Sequence, residues 1–421
     1  MPGLKGAAYT LAVWNDRDIS PAILETDRRA TRGNRKSGLK QRVRGRPSCT
    51  STPFMRSLRS IALGVFIVGA LASTADAQSR ARDAGALMEA GLKALDAGQF
   101  GDALEAFTEA SVILPQDANL HFGAGLAAFM LGRDRDAQES FERALALDPR
   151  YAAASEWLGE LHYRAGRVKE AIDVYEKALK RSPGLEKLQS RLDEWSKESR
   201  LHERFYESRG AHFSVLFEGP ADELLARRVV ERLEEAYWRI GQTLGAYPSK
   251  PISVVLYTRE QFRDITRLPS WSAAAYDGRI HVPMRGALDN TEELDRVLGH
   301  EFVHAVVAML GGRNVPVWLN EGLATLLEPG GREEAEEELA QAGPRPALRQ
   351  LHGGFSRLSS GEARVAYAIS TYAVQRMTEL RSPSAVVLLL QDLARGGSFP
   401  TSFYQHIGMS YDDFQVMIGR Q

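Results

Sequence analysis

The sequence is poor in cysteine, in net charge and in long apolar runs. Its 421 residues contain one cysteine, Cys49, so the chain forms no disulfide within itself. Because Cys49 precedes the leader predicted below, a metal in the mature chain would be held by histidine and carboxylate side chains. The formal net charge of −1 excludes a whole-chain attraction to nucleic acid or anionic lipid. The apolar run Ile61–Ala72 has about 12 residues, against roughly 20 for a membrane-spanning helix.

The first 77 residues are typical of targeting rather than folding. Residues 1–54 form a basic extension rich in Arg and Gly. From Met55, a basic start, the apolar run and the small-x-small pattern Ala75–Ala77 predict a signal peptide over 55–77 that is cleaved after Ala77. We expect a periplasmic or secreted protein of a bacterial cell envelope with no membrane span after cleavage. Met55 is then the true first residue; the alternative is an uncleaved anchor with a basic cytoplasmic arm.

Between residues 78 and 183 the sequence repeats with a period of 34 residues. A fixed period of this length indicates stacked helix hairpins, in which small residues let two helices approach, an aromatic residue fills the seam and a proline ends the second helix. The three-fold columns are Gly91/Gly125/Gly159, Gly98/Gly132/Gly166, Ala103/Ala137/Ala171, Phe107/Phe141/Tyr175, Ala110/Ala144/Ala178 and Pro115/Pro149/Pro183.

This pattern resembles the tetratricopeptide repeat (TPR), which implies an α-helical TPR solenoid with a concave groove for a peptide or protein partner. The alternative is that the three repeats act as a spacer or a rigid cap on the neighbouring domain. Residues 184–210 are predicted to form a capping and linker helix, with Leu188, Leu192 and Trp195 facing the last repeat.

Residues 211–421 have a different pattern and are predicted to form an α+β domain. Strands are expected in His212–Gly219, Pro251–Thr258 and Ala273–Met284, and a long amphipathic helix in Ala221–Leu244. Beyond Asn290 all the patterns are helical.

The helix that begins at Asn290 contains the sequence HEFVH, His300 to His304, on an otherwise apolar stripe. Two histidines four residues apart lie on one face of a helix, so both imidazoles can bind one cation. The alternative is an incidental set of polar residues on a core helix. Burying those groups unpaired would cost roughly 1–3 kcal/mol each.

A second helix that opens at Pro316 contains the sequence WLNEGLA, and the glycines at 311 and 312 allow it to return against the first. Glu321 can then bring an oxygen to the same cation. Two histidines and one glutamate leave a position for water, which is typical of a catalytic zinc site. In that site Glu301 accepts the proton of the water that attacks a carbonyl group.

These residues resemble the gluzincin metallopeptidases, and in particular the peptidase MA-like domains that are often fused to TPR repeats. The resemblance covers about residues 210–420 and implies a zincin-like fold, with His300, His304 and Glu321 as Zn2+ ligands and Glu301 as general base. The gap before the third ligand is somewhat shorter than in thermolysin. The aminopeptidase Gly-Ala-Met-Glu-Asn motif is absent, so we expect an endopeptidase.

Three further residues are candidates for contact with a substrate. Tyr367 is the preferred donor to the oxyanion, with Tyr372 as a weaker candidate and simple core packing as the alternative. The strand Gly278–Pro283 is expected at the sheet edge that pairs with an extended substrate, and there His281 either touches the substrate or faces solvent. The rival functions are a catalytically inactive binding or assembly protein and a hydrolase of non-peptide amides.

Overall fold

A computed structural model describes residues 78–258, 261, 275–283, 291–355 and 358–419. The predicted basic extension, Cys49 and the signal peptide lie outside the described residues, as does Asn290, the predicted first residue of the helix with the HEFVH sequence. Among the described helices, none has the length and apolar character needed to span a membrane.

The first half of the described chain is a row of helices connected by short turns. Helix α1 covers 78–96 and is followed by α2 to α7, which are Phe100–Ile113, Ala118–Met130, Asp134–Leu147, Ala152–Arg164, Val168–Arg181 and Glu186–His202. Helices α1 to α6 form three hairpins whose partners pack against each other, as the repeat predicts.

The repeated glycines and aromatics explain why the hairpins close. A Cβ placed on Gly91 would lie 2.9 Å from the ring of Phe107, and one placed on Gly125 would lie 2.7 Å from the ring of Phe141. The ring of the second helix therefore occupies the space that a side chain on the first would need. A second glycine of each repeat ends the first helix in the left-handed region that glycine favours; these are Gly98, Gly132 and Gly166, with φ of 70°, 73° and 74°.

Helix α7 covers the open end of the third repeat, as predicted. Leu188 and Trp195 are buried against α5 and α6, and the Trp195 ring stacks on Tyr163 with ring centroids 4.9 Å apart. The prediction of helix up to residue 210 is wrong at its end. The helix stops at His202, and Phe205–Arg209 is strand β1 because its backbone pairs with the next strand.

A five-stranded mixed sheet follows, in the order β1-β2-β3-β5-β4. The neighbours β1/β2 and β4/β5 are antiparallel, whereas β2/β3 and β3/β5 are parallel. Helix α8, Glu223–Leu244, connects β2 to β3 and lies on the sheet. The predicted strands are present as Phe213–Glu218 (β2), Ile252–Tyr257 (β3) and a hairpin of Ala275–Tyr276 (β4) with Ile280–Pro283 (β5).

The prediction that the strand Gly278–Pro283 lies at the sheet edge is wrong, because β5 has a neighbour on each side and the short β4 is the outer strand among those that the structure describes. Both expectations for His281 are also wrong. Its side chain is buried, its Nε2 lies 2.8 Å from Asp277 Oδ1, and its ring stacks on Tyr257. His281 therefore belongs to a buried polar cluster and has almost no surface open to a substrate or to bulk solvent.

The remaining helices pack on the sheet and on one another around one large core. Residues such as Phe213, Val254, Ile280 and Phe302 bring the sheet and the first of these helices into that core. In chain order the helices are α9 Thr291–Gly311, α10 Val317–Leu327, α11 Gly331–Gln341, α12 Ser360–Leu380, α13 Pro383–Arg395, α14 Phe399–Ile407 and α15 Tyr411–Gly419.

Candidate metal centre

Helix α9 holds two histidines in a fully buried stripe. Leu294, Val297, Phe302 and Val306 are buried on it, which anchors the helix in the core. His300 is also fully buried, and His304, one helical turn later, is buried as well. Polar side chains in such an environment require partners, because an unsatisfied buried group costs roughly 1–3 kcal/mol.

The chain then reverses and returns as α10. Gly312 has φ of 66°, and Pro316 precedes the first residue of α10 with φ of −53°, so the two residue types predicted to make the turn do so. Trp318 is fully buried and fixes the start of α10 in the core. Helix α10 packs on α9 and α12, which brings the buried Glu321 toward the histidines.

Three side chains meet at one point. Glu321 Oε2 lies 3.5 Å from His300 Nε2 and 3.7 Å from His304 Nε2. His300, Glu301 and His304 also place one potential ligand atom each within 4.8 Å of one another. The predicted ligands are therefore close enough to bind a single ion after small adjustments, since Zn–N and Zn–O bonds are about 2.0–2.2 Å long.

Two further side chains, neither of them predicted from the sequence, orient the imidazole rings. His300 Nδ1 lies 2.9 Å from Glu328 Oε2, and His304 Nδ1 lies 3.0 Å from Asn320 Oδ1. Each contact uses the Nδ1 atom and directs Nε2 toward the meeting point, the arrangement that metal-binding histidines usually have. Asn320 is adjacent to Glu321 on α10, whereas Glu328 directly follows the last residue of that helix. Closeness to the predicted ligand was therefore an available signal for Asn320 and not for Glu328.

Burial and charge shift the pKa values of the site in different directions. Burial raises the pKa of Glu301 to about 8, with Glu321 and Glu328 adding to the rise and His300 opposing it. Burial and the neighbouring His300 lower the pKa of His304 to about 3. Burial alone would lower the pKa of His300, but its contacts with the two carboxylates outweigh burial and raise that pKa to about 10.

Tyr367 lies on α12, beside the part of α10 that contains Glu321. A Cβ on Gly322 would overlap the backbone carbonyl of Ser370, which follows Tyr367 by one helical turn. The Tyr367 ring is buried and packs edge-to-face on Phe355 with centroids 5.0 Å apart. Tyr372, the weaker candidate for the oxyanion donor, is partly buried and packs against the core. A role of either hydroxyl in catalysis stays a prediction.

Comparison with known families identifies the helical repeats that precede the sheet. The tetratricopeptide repeat family model matches residues 88–134 and 135–186, and a second model of the same description matches residues 118–151. Residues 88–186 are tetratricopeptide repeats. None of the curated proteins compared with the chain matches it.

Solved structures similar to the chain are also repeat proteins. The first TPR domain of human RPAP3 is 24% identical, with a TM-score of 0.28, and the match covers 30% of this chain and 98% of that domain. MamA is 23% identical over 36% of this chain and 89% of its own, with a TM-score of 0.28. A TPR protein from Bacteroides fragilis is 12% identical over 80% of this chain and 99% of its own, with a TM-score of 0.25.

Proposed function

We propose that the protein is an exported zinc-dependent metallopeptidase of the gluzincin type, an endopeptidase with a zincin-like domain after its TPR repeats. The observation behind the proposal is the position of Glu321 Oε2, which lies within 3.7 Å of the Nε2 atoms of His300 and His304. This convergence joins side chains from two helices, which a five-residue motif alone does not require.

The residues present fit zinc. Two imidazole nitrogens and one carboxylate oxygen are the ligand set of catalytic rather than structural zinc sites. Glu301 adds a second indication, because its Oε2 atom is buried and has no hydrogen-bond partner among the described residues. A cation and its water in this space would compensate that carboxylate.

His300, His304 and Glu321 would hold the ion, with Glu328 and Asn320 orienting the two rings. Bound zinc supplies a Lewis acid that polarises a carbonyl group and makes water more acidic. Glu301 then accepts a proton at its carboxylate and delivers it to the leaving amine. Burial raises the pKa of Glu301 to about 8 in the metal-free protein, and a bound cation would lower it, which would leave the carboxylate able to accept the proton.

The substitution Glu301→Gln tests the proposal. We expect peptide cleavage to fall by a factor of about 10² to 10⁴, while zinc content is unchanged, because the amide keeps the shape of the side chain and cannot accept the proton. The measurement is cleavage of casein or a quenched peptide at equal zinc content. Glu231→Gln, an exposed position on α8, is the matched control and should cleave at the wild-type rate.

The same assay separates the rival functions. Zinc binding with equal, negligible cleavage by wild type and Glu301→Gln would contradict the enzyme and leave a zinc-holding binding or assembly protein. Hydrolysis of cell-wall amides without peptide cleavage would indicate the non-peptide amidase.

Tyr367→Phe compared with Tyr372→Phe tests the oxyanion donor: only the first should lower kcat with KM unchanged.

The repeats and the leader complete the proposal. TPR repeats are protein-interaction modules, so we propose a protein partner or substrate for the exposed part of the solenoid.

The proposal of export rests on the sequence of residues 55–77 alone. Amino-terminal sequencing of the protein recovered from the periplasm or medium should begin at Gln78, and a start at Met1 would contradict export by cleavage.

A further inference from the structure

The turn between the two ligand-bearing helices is attached to the second repeat. This turn, residues 312–316, follows α9 and precedes α10. Its Arg313 backbone N–H donates to Met130 O at 2.9 Å, at the last residue of α3. The Met130 carbonyl has no partner within its own helix because it lies at the helix end. A loop of the C-terminal domain thus supplies its hydrogen bond.

The Arg313 side chain strengthens this attachment. Its Nη1 donates to Phe129 O at 2.8 Å and lies 2.5 Å from Asp134 Oδ1, at the start of α4. The guanidinium also lies 4.2 Å from the centroid of the Phe129 ring. The side chain is only 15% exposed. One arginine therefore joins the end of one repeat helix to the beginning of the next.

The neighbours of Arg313 fit the repeats with little free space. A Cβ on Gly312 would lie 2.7 Å from Leu131 O, so a larger residue would push the turn away from the repeat. Asn314 Nδ2 donates to Gly98 O at 3.2 Å, which extends the contact to the first repeat. The two loops that receive the turn, at 98 and 132, occupy equivalent places in successive repeats.

We propose that the second repeat holds the turn between α9 and α10 and thereby sets the separation of His304 and Glu321, with Arg313 as the positioning residue. The proposal rests on the proposed metal site. Few residues separate Arg313 from either ligand along the chain, and each ligand is on a helix that ends or begins at the turn. Ligands must be held within about 0.5 Å of the productive geometry, so a small shift of the turn weakens binding. The repeats are then part of the site as well as a docking surface.

Zinc affinity and amide hydrogen exchange of the full chain test the proposal. We expect Arg313→Ala to raise the Kd for zinc about tenfold, the lower end of the loss seen when supporting residues of metal sites are replaced. Asp134→Asn, which leaves the sequence of the C-terminal domain unchanged, should raise it about threefold through loss of the ion pair. Arg313→Lys should lie between wild type and Arg313→Ala, because lysine keeps the charge and loses the two-pronged contact.

The control is Arg135→Ala, which removes an exposed charge next to Asp134 and should leave the Kd unchanged. In metal-free protein, Arg313→Ala should accelerate exchange in residues 314–321 and leave exchange in strand β2 unchanged; a general loss of structure would accelerate both. Normal zinc binding by Arg313→Ala and Asp134→Asn, or unaltered exchange at 314–321, would overturn the positioning role and leave the metallopeptidase in place. Absence of zinc binding by the wild type would overturn both.

Discussion

At the scale of single residues, the two histidines differ because their neighbours differ. Glu321 lies near Nε2 of both rings, but Nδ1 of His300 faces the carboxylate of Glu328, whereas Nδ1 of His304 faces the neutral amide of Asn320. The pKa of His300 is about 10 and that of His304 is about 3. At neutral pH the metal-free protein therefore has a protonated His300 and a neutral His304. A histidine that binds a metal must be neutral, so zinc has to displace the proton of His300.

We predict that zinc binding at pH 7 releases about one proton from His300 and up to about one more from Glu301, whose pKa of about 8 the cation would lower. Rising pH should therefore strengthen zinc binding until the pH passes about 10. Glu328→Gln should release fewer protons, because it removes a contact that raises the pKa of His300. Calorimetry in two buffers of different ionisation enthalpy counts the protons, and an equal count for wild type and variant would contradict the role of Glu328.

The residues of this site differ in how visible they are in the sequence. His300, Glu301 and His304 are four residues apart at most, and one turn of helix is enough to place them together. Asn320 and Glu328 have no such local spacing to the histidines, because the packing of α10 on α9 creates their contacts. Residues that support a ligand across two helices are therefore found from the fold rather than from a motif.

At the scale of secondary-structure elements, the position of α10 depends on a close contact with α12. Gly322 touches this neighbour so closely that a Cβ would overlap the Ser370 carbonyl and lie 2.8 Å from Val374 Cγ2. The contact involves backbone as well as side chain, so a new methyl group has little room to move away. Glu321 is adjacent to this glycine, and its orientation depends on the same packing.

We predict that Gly322→Ala destabilises the protein by about 1–3 kcal/mol, the usual cost of forcing extra volume into a packed core. Zinc affinity should fall with it, because α10 must shift. The measurement is urea unfolding together with zinc titration. Gly343→Ala is the control: a Cβ there meets nothing within 4 Å, so the free energy of unfolding should change little. A Gly322→Ala protein as stable as Gly343→Ala would contradict the close packing.

The sequence predicts elements with a strong local pattern well, but it does not predict which elements lie next to one another in the fold. The alternation in β2, the apolar run in β3 and the amphipathic α8 identified those elements within two residues of their observed bounds. Strand β1, with the sequence FYESR, has no apolar alternation, and only its pairing with β2 makes it a strand. Likewise β5 was placed at the sheet edge because strand order depends on contacts distant in sequence.

At the scale of the whole molecule, a buried ion pair joins the solenoid to the C-terminal domain, in addition to the contacts of Arg313. Arg279, in the β4–β5 hairpin, is only 4% exposed and inserts between helices of the third repeat and α7. Its Nη2 lies 2.8 Å from Glu198 Oε1, and its guanidinium lies 4.7 Å from the Tyr163 ring centroid. Glu198 also accepts a hydrogen bond from the Tyr163 hydroxyl at 2.7 Å. The repeats thus bind a part of their own chain.

The buried position of Glu198 gives this contact a characteristic pH dependence. Burial alone would raise the pKa of Glu198, but Arg279 and then the nearby histidines outweigh burial and lower it. In the wild type the carboxylate therefore stabilises the fold above its ordinary pKa of about 4.3, and this contribution is lost as the pH falls through the lowered value. Without Arg279, burial should raise the pKa instead, and stability should be lost as the pH rises through that raised value.

We predict that Arg279→Met costs about 3–5 kcal/mol of unfolding free energy at pH 8, because it leaves a buried carboxylate without its cation. The cost should be smaller at pH 5, where the variant can protonate Glu198. Urea unfolding at both pH values measures the difference. The control Arg135→Met, at a side chain that is 90% exposed, should change stability by less than about 0.5 kcal/mol at either pH. An equal cost of Arg279→Met at pH 5 and pH 8 would mean that the arginine stabilises the interface through packing and not through its charge.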